Sequence, residues 1–286
     1  TKECLELEIN KAYMQLQLAY KAVTVLNKAN TTALSNLQVV NNYFKQGMLQ
    51  KTDVLTVEVR VNEIKNQLQY AKSNVQNASD YLAFLINEDL SNSVFKPIEA
   101  IENSINTITT NPLLSGERKD LLAMDQSVKA YEKMAQSSQM NFLPRLNAFG
   151  SYELYDKNIL GMGASGYLVG AQLSWNVFDG YKSIGKMEKA KAEHQKSSIE
   201  NQQYKAQSQI ELNKTNRQLK DAENKVNLTQ LALQQSEEAY RIRNNRFQQG
   251  LEKTSDLLQA ATQMSQKELE LLQAVFEYNI TKEYLH

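Results

Sequence analysis

Cysteine is almost absent from this chain of 286 residues: Cys4 is the only one, so no disulfide can close within it. Histidine is nearly as scarce. His194 and His286 are the only two, and neither falls in a metal-ligand spacing such as H-E-x-x-H. Both are expected as solvent-facing helix residues. No Gly-rich phosphate loop is recognisable, since GMGASG at Gly161–Gly166 lies between strand patterns and reads as a flexible loop. Cys4 has no histidine near it in sequence and reads as an inert thiol. These absences leave no constellation for an enzyme, and they imply no cofactor and no metal. Charge of one sign is also missing, with 32 basic and 32 acidic residues, which gives no sign of a nucleic-acid surface. No apolar run approaches the roughly 20 residues of a membrane helix. The chain opens TKECLELEINKAY, already helical in pattern and without a start Met. It reads as a fragment of a longer protein, which is compatible with a signal peptide lost from upstream.

Proline and glycine are scarce, with three and ten residues, and their placement organises the chain. Neither occurs before Gly47, between Gly47 and Pro97, or between Gly185 and Gly250. The last interval predicts a helix about 95 Å long at 1.5 Å per residue. Two helix–turn–helix hairpins follow, bent at YFKQGMLQKTDVL (Tyr43–Leu55) and RFQQGLEKTSDLL (Arg246–Leu258). The hairpins match without a gap. A shift of 203 positions pairs Glu8 with Glu211, Gln15 with Gln218 and Ala19 with Ala222; it also pairs Phe44 with Phe247, Gly47 with Gly250 and Asp53 with Asp256. An unbroken register over about 75 residues is a repeat signal. Apolar residues at Leu212, Leu219, Val226 and Leu233 recur every seven positions, as in a coiled-coil seam.

Long apolar runs are absent from the middle of the chain as well, but there the period changes to two. In FLPRLNAFGSYELY, from Phe142, one face holds Leu146, Ala148, Gly150, Tyr152 and Leu154. The other holds Arg145, Asn147, Ser151 and Glu153, broken only by Phe149. In GYLVGAQLSWNVF, Tyr167, Val169, Ala171, Leu173, Trp175 and Val177 share a face. Each strand is about 10 to 13 residues, long enough for a tilted membrane strand. A soluble hairpin over a core alternates in the same way. In a membrane, Tyr152, Tyr155 and Tyr167 would mark the loop rim, with Trp175 and Phe178 at the opposite one. A lone hairpin cannot close a barrel, so the membrane reading requires strands from a missing segment or from other subunits.

These residues resemble the TolC-type outer-membrane efflux channels. FLPRLNAFGSY looks like the first strand of a family hairpin, and GAQLSWNVFDGYKSIGKMEKAKAE like the second strand feeding a very long helix. RFQQGLEKTSDLLQA is similar to the family's tip turn. The resemblance implies a mainly α fold of long antiparallel coiled-coil hairpins, forming a trimeric α/β-barrel channel with one membrane β-hairpin in this fragment. It implies an organisation by segment. Residues 1–86 would be the first helical hairpin with its tip turn at 44–53, and 87–116 an equatorial region. Residues 117–141 would be a helix leading to the barrel, 142–179 the barrel hairpin, and 180–286 the second helical hairpin with its tip turn at 247–256. The family has a further strand hairpin, which should precede Thr1. The implied role is a passive exit duct of a tripartite efflux or secretion system in a Gram-negative outer membrane, extending into the periplasm. Its partners would be two further copies, a periplasmic adaptor protein, an inner-membrane transporter reached through that adaptor, and outer-membrane lipid. A periplasmic adaptor with its own α-hairpin is the alternative, but it would carry one hairpin and many strands.

The tips hold the candidate functional residues. Gly47 and Gly250 fit the left-handed position that ends a helix. Asp53 and Asp256 stand where the next helix begins, suited either to a cap and dipole contact or, following the resemblance, to the periplasmic aperture. In a trimer, six such carboxylates would favour cations. The family's Tyr and Arg gate contacts do not match, since Phe44, Phe247 and Glu252 stand at those positions, and its second acidic position is Gln259 here. Closure is therefore expected to rest on packing of Phe44 and Phe247. The resemblance places adaptor docking at Gly47, Met48, Leu49, Gly250 and Leu251, although these apolar residues also fit packing within the chain. Tyr152, Tyr167, Leu173 and Trp175 are expected to face the membrane.

Overall fold

The computed structural model describes residues 2–88, 94–98, 118–154 and 165–285. Its elements are α1 (Lys2–Lys45), α2 (Lys51–Ile86), α3 (Lys119–Gln139), a 3-10 turn (Met140–Phe142), β1 (Arg145–Leu154), β2 (Ser165–Ser174), α4 (Lys182–Gln248) and α5 (Thr254–Glu283). The fold is mainly α, with one two-stranded antiparallel sheet among the described residues. Most of the span 87–116, all of it from 99 onward, lies outside the described residues. So do Tyr155, His286 and most of the Gly161–Gly166 loop.

The described residues form two units, Thr1–Pro112 with Asn213–His286, and Leu113–Leu212. The first unit is two helical hairpins. The 203-residue shift carries the end of α1 at Lys45 onto the end of α4 at Gln248, and the start of α2 at Lys51 onto the start of α5 at Thr254. Within α1–α2 the seam is built from small and branched residues. Ala12, Leu16 and Ala19 meet Val75 and Leu82, and further along Ala29 and Ala33 meet Val61 and Ile64. Alanines let the backbones approach closely, and each buried Val or Leu contributes about 1.5–3 kcal/mol. The seven-residue seam of α4 is buried at Leu219, Val226 and Leu233, against Leu271, Ala274, Val275 and Tyr278 of α5. Lys28 pairs with Glu268 at 3.3 Å, tying α1 to α5. The α2 helix stops at Asn87, whose left-handed backbone (φ 57°) ends it. Phe95 is then held by the Ser79 hydroxyl, which accepts its N–H at 2.8 Å, and by the Tyr20 hydroxyl, which donates to its carbonyl at 3.0 Å.

The second unit holds α3, the strands and residues 182–212 of α4. Its helix contact is polar. Asp125 accepts from Asn201 and Lys205, each at 2.7 Å, and Asp120 accepts from Arg118 and from Tyr204 at 2.8 Å. The Arg118 guanidinium, with help from Tyr204 and the Leu121 N–H, holds the Asp120 carboxyl well below the usual range. Lys205 and Asn201 lower that of Asp125. A carboxyl depressed in the folded state stabilises above its unfolded value and loses that contribution as pH falls toward the folded one. Between about pH 5 and pH 2, amide exchange in 119–139, corrected for its intrinsic pH dependence, should therefore accelerate before exchange in α1 and α2 does. Unchanged protection of α3 across that range would refute a carboxylate clamp.

Candidate functional site

The two tip turns are built alike in the backbone. In the first, Gly47 N–H donates to the Phe44 carbonyl and Met48 N–H to that of Tyr43, both at 2.9 Å. In the second, Gly250 donates to Phe247 and Leu251 to Arg246, again at 2.9 Å. This pair of bonds is the Schellman arrangement, which satisfies the last carbonyls of a helix and needs a left-handed residue. Gly47 (φ 77°) and Gly250 (φ 71°) supply it. A Cβ at either glycine would touch nothing within 4 Å, so glycine is required by conformation and not by space.

The side chains have diverged. Asp53 is the third residue of α2, and its Oδ2 accepts the Gln50 N–H at 3.1 Å, as one half of a capping box. Asp256 has the same position in α5, but its neighbours are charged. Glu252 bonds Arg243 at 3.2 Å and Arg246 at 3.1 Å, and Arg243 also lies 3.9 Å from Asp256. The Glu252 side chain is only 12 % exposed. The repeat places Val40, Tyr43 and Leu49 of the first tip where the second has Arg243, Arg246 and Glu252. One turn is thus closed by apolar and hydroxyl groups and the other by an ion cluster. That cluster joins residues six, nine and thirteen apart, spacings that mark no helix pair, so pattern reading missed it.

The structure brings both turns together. Phe247, 3 % exposed, packs with Val40, Val54, Val57, Leu257 and Leu258. The Tyr43 ring lies 5.7 Å from that of Phe247, and its hydroxyl donates to the Gln248 carbonyl at 2.9 Å. Tyr43, absent from the expected residues, bonds the two tips directly. Phe44, expected to pack as Phe247 does, is instead 37 % exposed, with the Lys51 ammonium 5.8 Å from its ring centre. It lies one position round the helix from Tyr43, which takes the inward place. Met48 and Leu251 are 69 % and 65 % exposed. Leu49, expected beside them, packs against the shared apolar cluster instead. Gln259 is exposed.

In the strand pair, Tyr152 stands opposite Tyr167, Gly150 opposite Val169, Ala148 opposite Ala171 and Leu146 opposite Leu173. Cross-strand partners share a face, so this apolar set is one surface. Tyr152, Tyr167, Leu173 and Leu146 are all exposed on it. On the other face Phe149 lies over Gly170, where a Cβ would come within 2.5 Å of the ring. That explains the single aromatic in an otherwise polar row. Trp175 lies one residue past β2, not in it as expected, and its Nε1 donates to the Phe142 carbonyl at 3.2 Å. The ladder stops at Arg145↔Ser174 because the next partner is Pro144, which has no N–H to give. His194 is half-buried, not fully solvated, and Cys4 is exposed. Among the described residues no group of His, Cys, Asp and Glu could hold a metal ion.

Known proteins share this fold. A family model described as outer membrane efflux protein matches residues 112–285. No curated protein sequence matches the chain. The fold is similar to the crystal structure of the outer membrane protein VceC from Vibrio cholerae, with TM-score 0.84 at 18 % identity, over 99 % of this chain and 69 % of that one. It is also similar to the Campylobacter jejuni CmeC outer membrane channel, with TM-score 0.79 at 15 % identity, over 98 % of this chain and 61 % of that one. A third is the open state of the Neisseria gonorrhoeae MtrE outer membrane channel, with TM-score 0.81 at 16 % identity, over 99 % and 65 %. The chain therefore spans about two thirds of the length of these structures.

Proposed function

The chain belongs to the outer membrane efflux protein family, and on that footing we propose that it is part of a channel subunit for efflux or secretion. In this reading three copies assemble in the outer membrane. Each contributes the β1–β2 hairpin, with the Tyr152, Tyr167 and Leu173 face toward lipid, to a shared barrel. The exposed apolar residues Val59, Tyr70, Tyr81 and Phe84 of α2 are suited to contact between copies. The four helices of the hairpins line a periplasmic duct. Asp53 and Asp256 sit at the aperture, and a periplasmic adaptor coupled to an inner-membrane transporter docks at Gly47, Met48, Gly250 and Leu251.

The observation that carries the reading is the pair of matched hairpins whose tips share one apolar cluster. A duct must close without chemistry and reopen, and two tips joined by one apolar cluster and the Tyr43 hydrogen bond have two arrangements available. Opening separates Tyr43 from Gln248 and leaves the ion cluster of the second tip whole, because all of its members lie within one hairpin. In planar bilayers, the full-length protein should form ion-conducting pores with a low resting conductance. Tyr43→Phe keeps the ring and removes the hydroxyl, and should raise that resting conductance about two- to tenfold, as expected from one hydrogen bond of 0.5–1.5 kcal/mol. Absence of pores would overturn the channel reading. Pores with an unchanged Tyr43→Phe resting state would overturn only this closure.

A further inference from the structure

At the base of the strand pair the chain exposes a band of large apolar side chains. Leu143, Trp175, Val177, Phe178 and Tyr181 are all exposed, and the Phe178 and Tyr181 rings meet edge to face at 5.8 Å. Tyr181 is held in a left-handed backbone (φ 67°), directly after Gly180 in the same region (φ 66°). Few non-glycine residues adopt that conformation, and an aromatic one does so at a cost. The paired turn lies between the strand and α4. The band is continuous with the apolar face of the strands, since Trp175 follows Ser174 and Leu143 stands two residues before Arg145.

Beside this band α4 begins with cations alone. Lys182 and Lys186 are exposed and one turn apart, and the first turn carries no acid. The next three lysines are each paired: Lys189 with Glu193, Lys191 with Glu188 and Lys196 with Glu200. Among the described residues Lys182 and Lys186 have no such partner. Of the nearby carboxylates, Asp179 is taken by the Ser183 N–H at 2.9 Å and by the Ser183 hydroxyl, while Glu188 is taken by Lys191. Two lysines at the start of a helix oppose its dipole, so an outside anion would relieve them.

We propose that Lys182 and Lys186, with the aromatic band, form a site for the headgroups of anionic phospholipid in the inner leaflet of the membrane. The inference rests on the outer-membrane reading above. Aromatic side chains settle at the level of the headgroups. Lysines there attract acidic lipid in a manner that salt screens. The occupant is a membrane surface and not a peptide, because the band adjoins the face that the strands would turn to lipid.

Trp175 is the only tryptophan of the chain and lies within the band. Full-length protein is reconstituted in vesicles of brominated phosphatidylcholine or brominated phosphatidylglycerol, with a Trp175→Phe variant isolating the signal of Trp175. Quenching should give phosphatidylglycerol about a fivefold higher relative binding constant at low salt, the effect of one well-placed lysine. The preference should fall toward one in 0.5 M salt. In Lys182→Gln/Lys186→Gln it should vanish while phosphatidylcholine still quenches. Equal quenching by both lipids in the unaltered protein, or a preference that survives the double substitution, would overturn the lysine site and leave the membrane reading standing. No quenching by either lipid would overturn both.

Discussion

Phe247→Ala should destabilise the tip by about 3–5 kcal/mol, whereas Phe44→Ala should change it by no more than about 0.5 kcal/mol. The two residues are equivalent in the repeat and sit three positions before equivalent glycines. Their surroundings differ. Phe247 is nearly fully buried among six residues drawn from α1, α2 and α5, so truncation opens a cavity between both hairpins. Phe44 loses only a half-exposed ring and its contact with Lys51. Hydrogen exchange localises the effect. In Phe247→Ala, amides of 37–43 and 254–258 should exchange faster together, because one cluster holds both turns. Equal responses to the two substitutions would mean that the hairpins pack symmetrically and that the cluster is misassigned.

On the docking reading, Met48→Glu/Leu251→Glu should abolish export of the channel's cargo in a host lacking its own channel, with no loss of assembled protein. Both side chains are exposed at the points of the turns. Their replacement costs little folding energy, and any effect must come from a surface that meets something else. Leu49→Glu is the internal comparison. It forces a charge against the apolar cluster and should lower the yield of folded protein as well as efflux. If Met48→Glu/Leu251→Glu lowers yield in parallel with efflux, the exposed pair serves folding and not docking.

The helical hairpins were legible because Gly47 and Gly250 interrupt stretches that otherwise hold neither glycine nor proline, and because the repeat fixes the register across the break. The strand alternation was legible too, but its end was not. The apolar period runs on through Trp175 and Val177, while the ladder stops where Pro144 cannot donate. The direction of Phe44 and Leu49 was not legible, because a residue near a helix end is assigned inward or outward by the neighbour that packs there. Here that neighbour is the other hairpin, about two hundred residues away in the chain. The ion cluster of the second tip was hidden for a related reason. Arg243 and Arg246 stand within a helix, Glu252 beyond its cap, and only the Schellman turn folds one back onto the other.

The ungapped 203-residue register also restricts how such a chain can change length. The turns touch through Tyr43 and Phe247, so the hairpins must reach the same height and present the same faces there. One residue inserted into a single helix rotates everything beyond it by about 100° and raises it by about 1.5 Å. That would carry Phe247 out of the cluster. Insertions can survive only in steps of about seven residues, which restore the seam, and only when matched in both arms of both hairpins, which keeps the tips level. Length variation among chains of this construction should therefore come in whole heptads, taken up by the two halves of the duplication together.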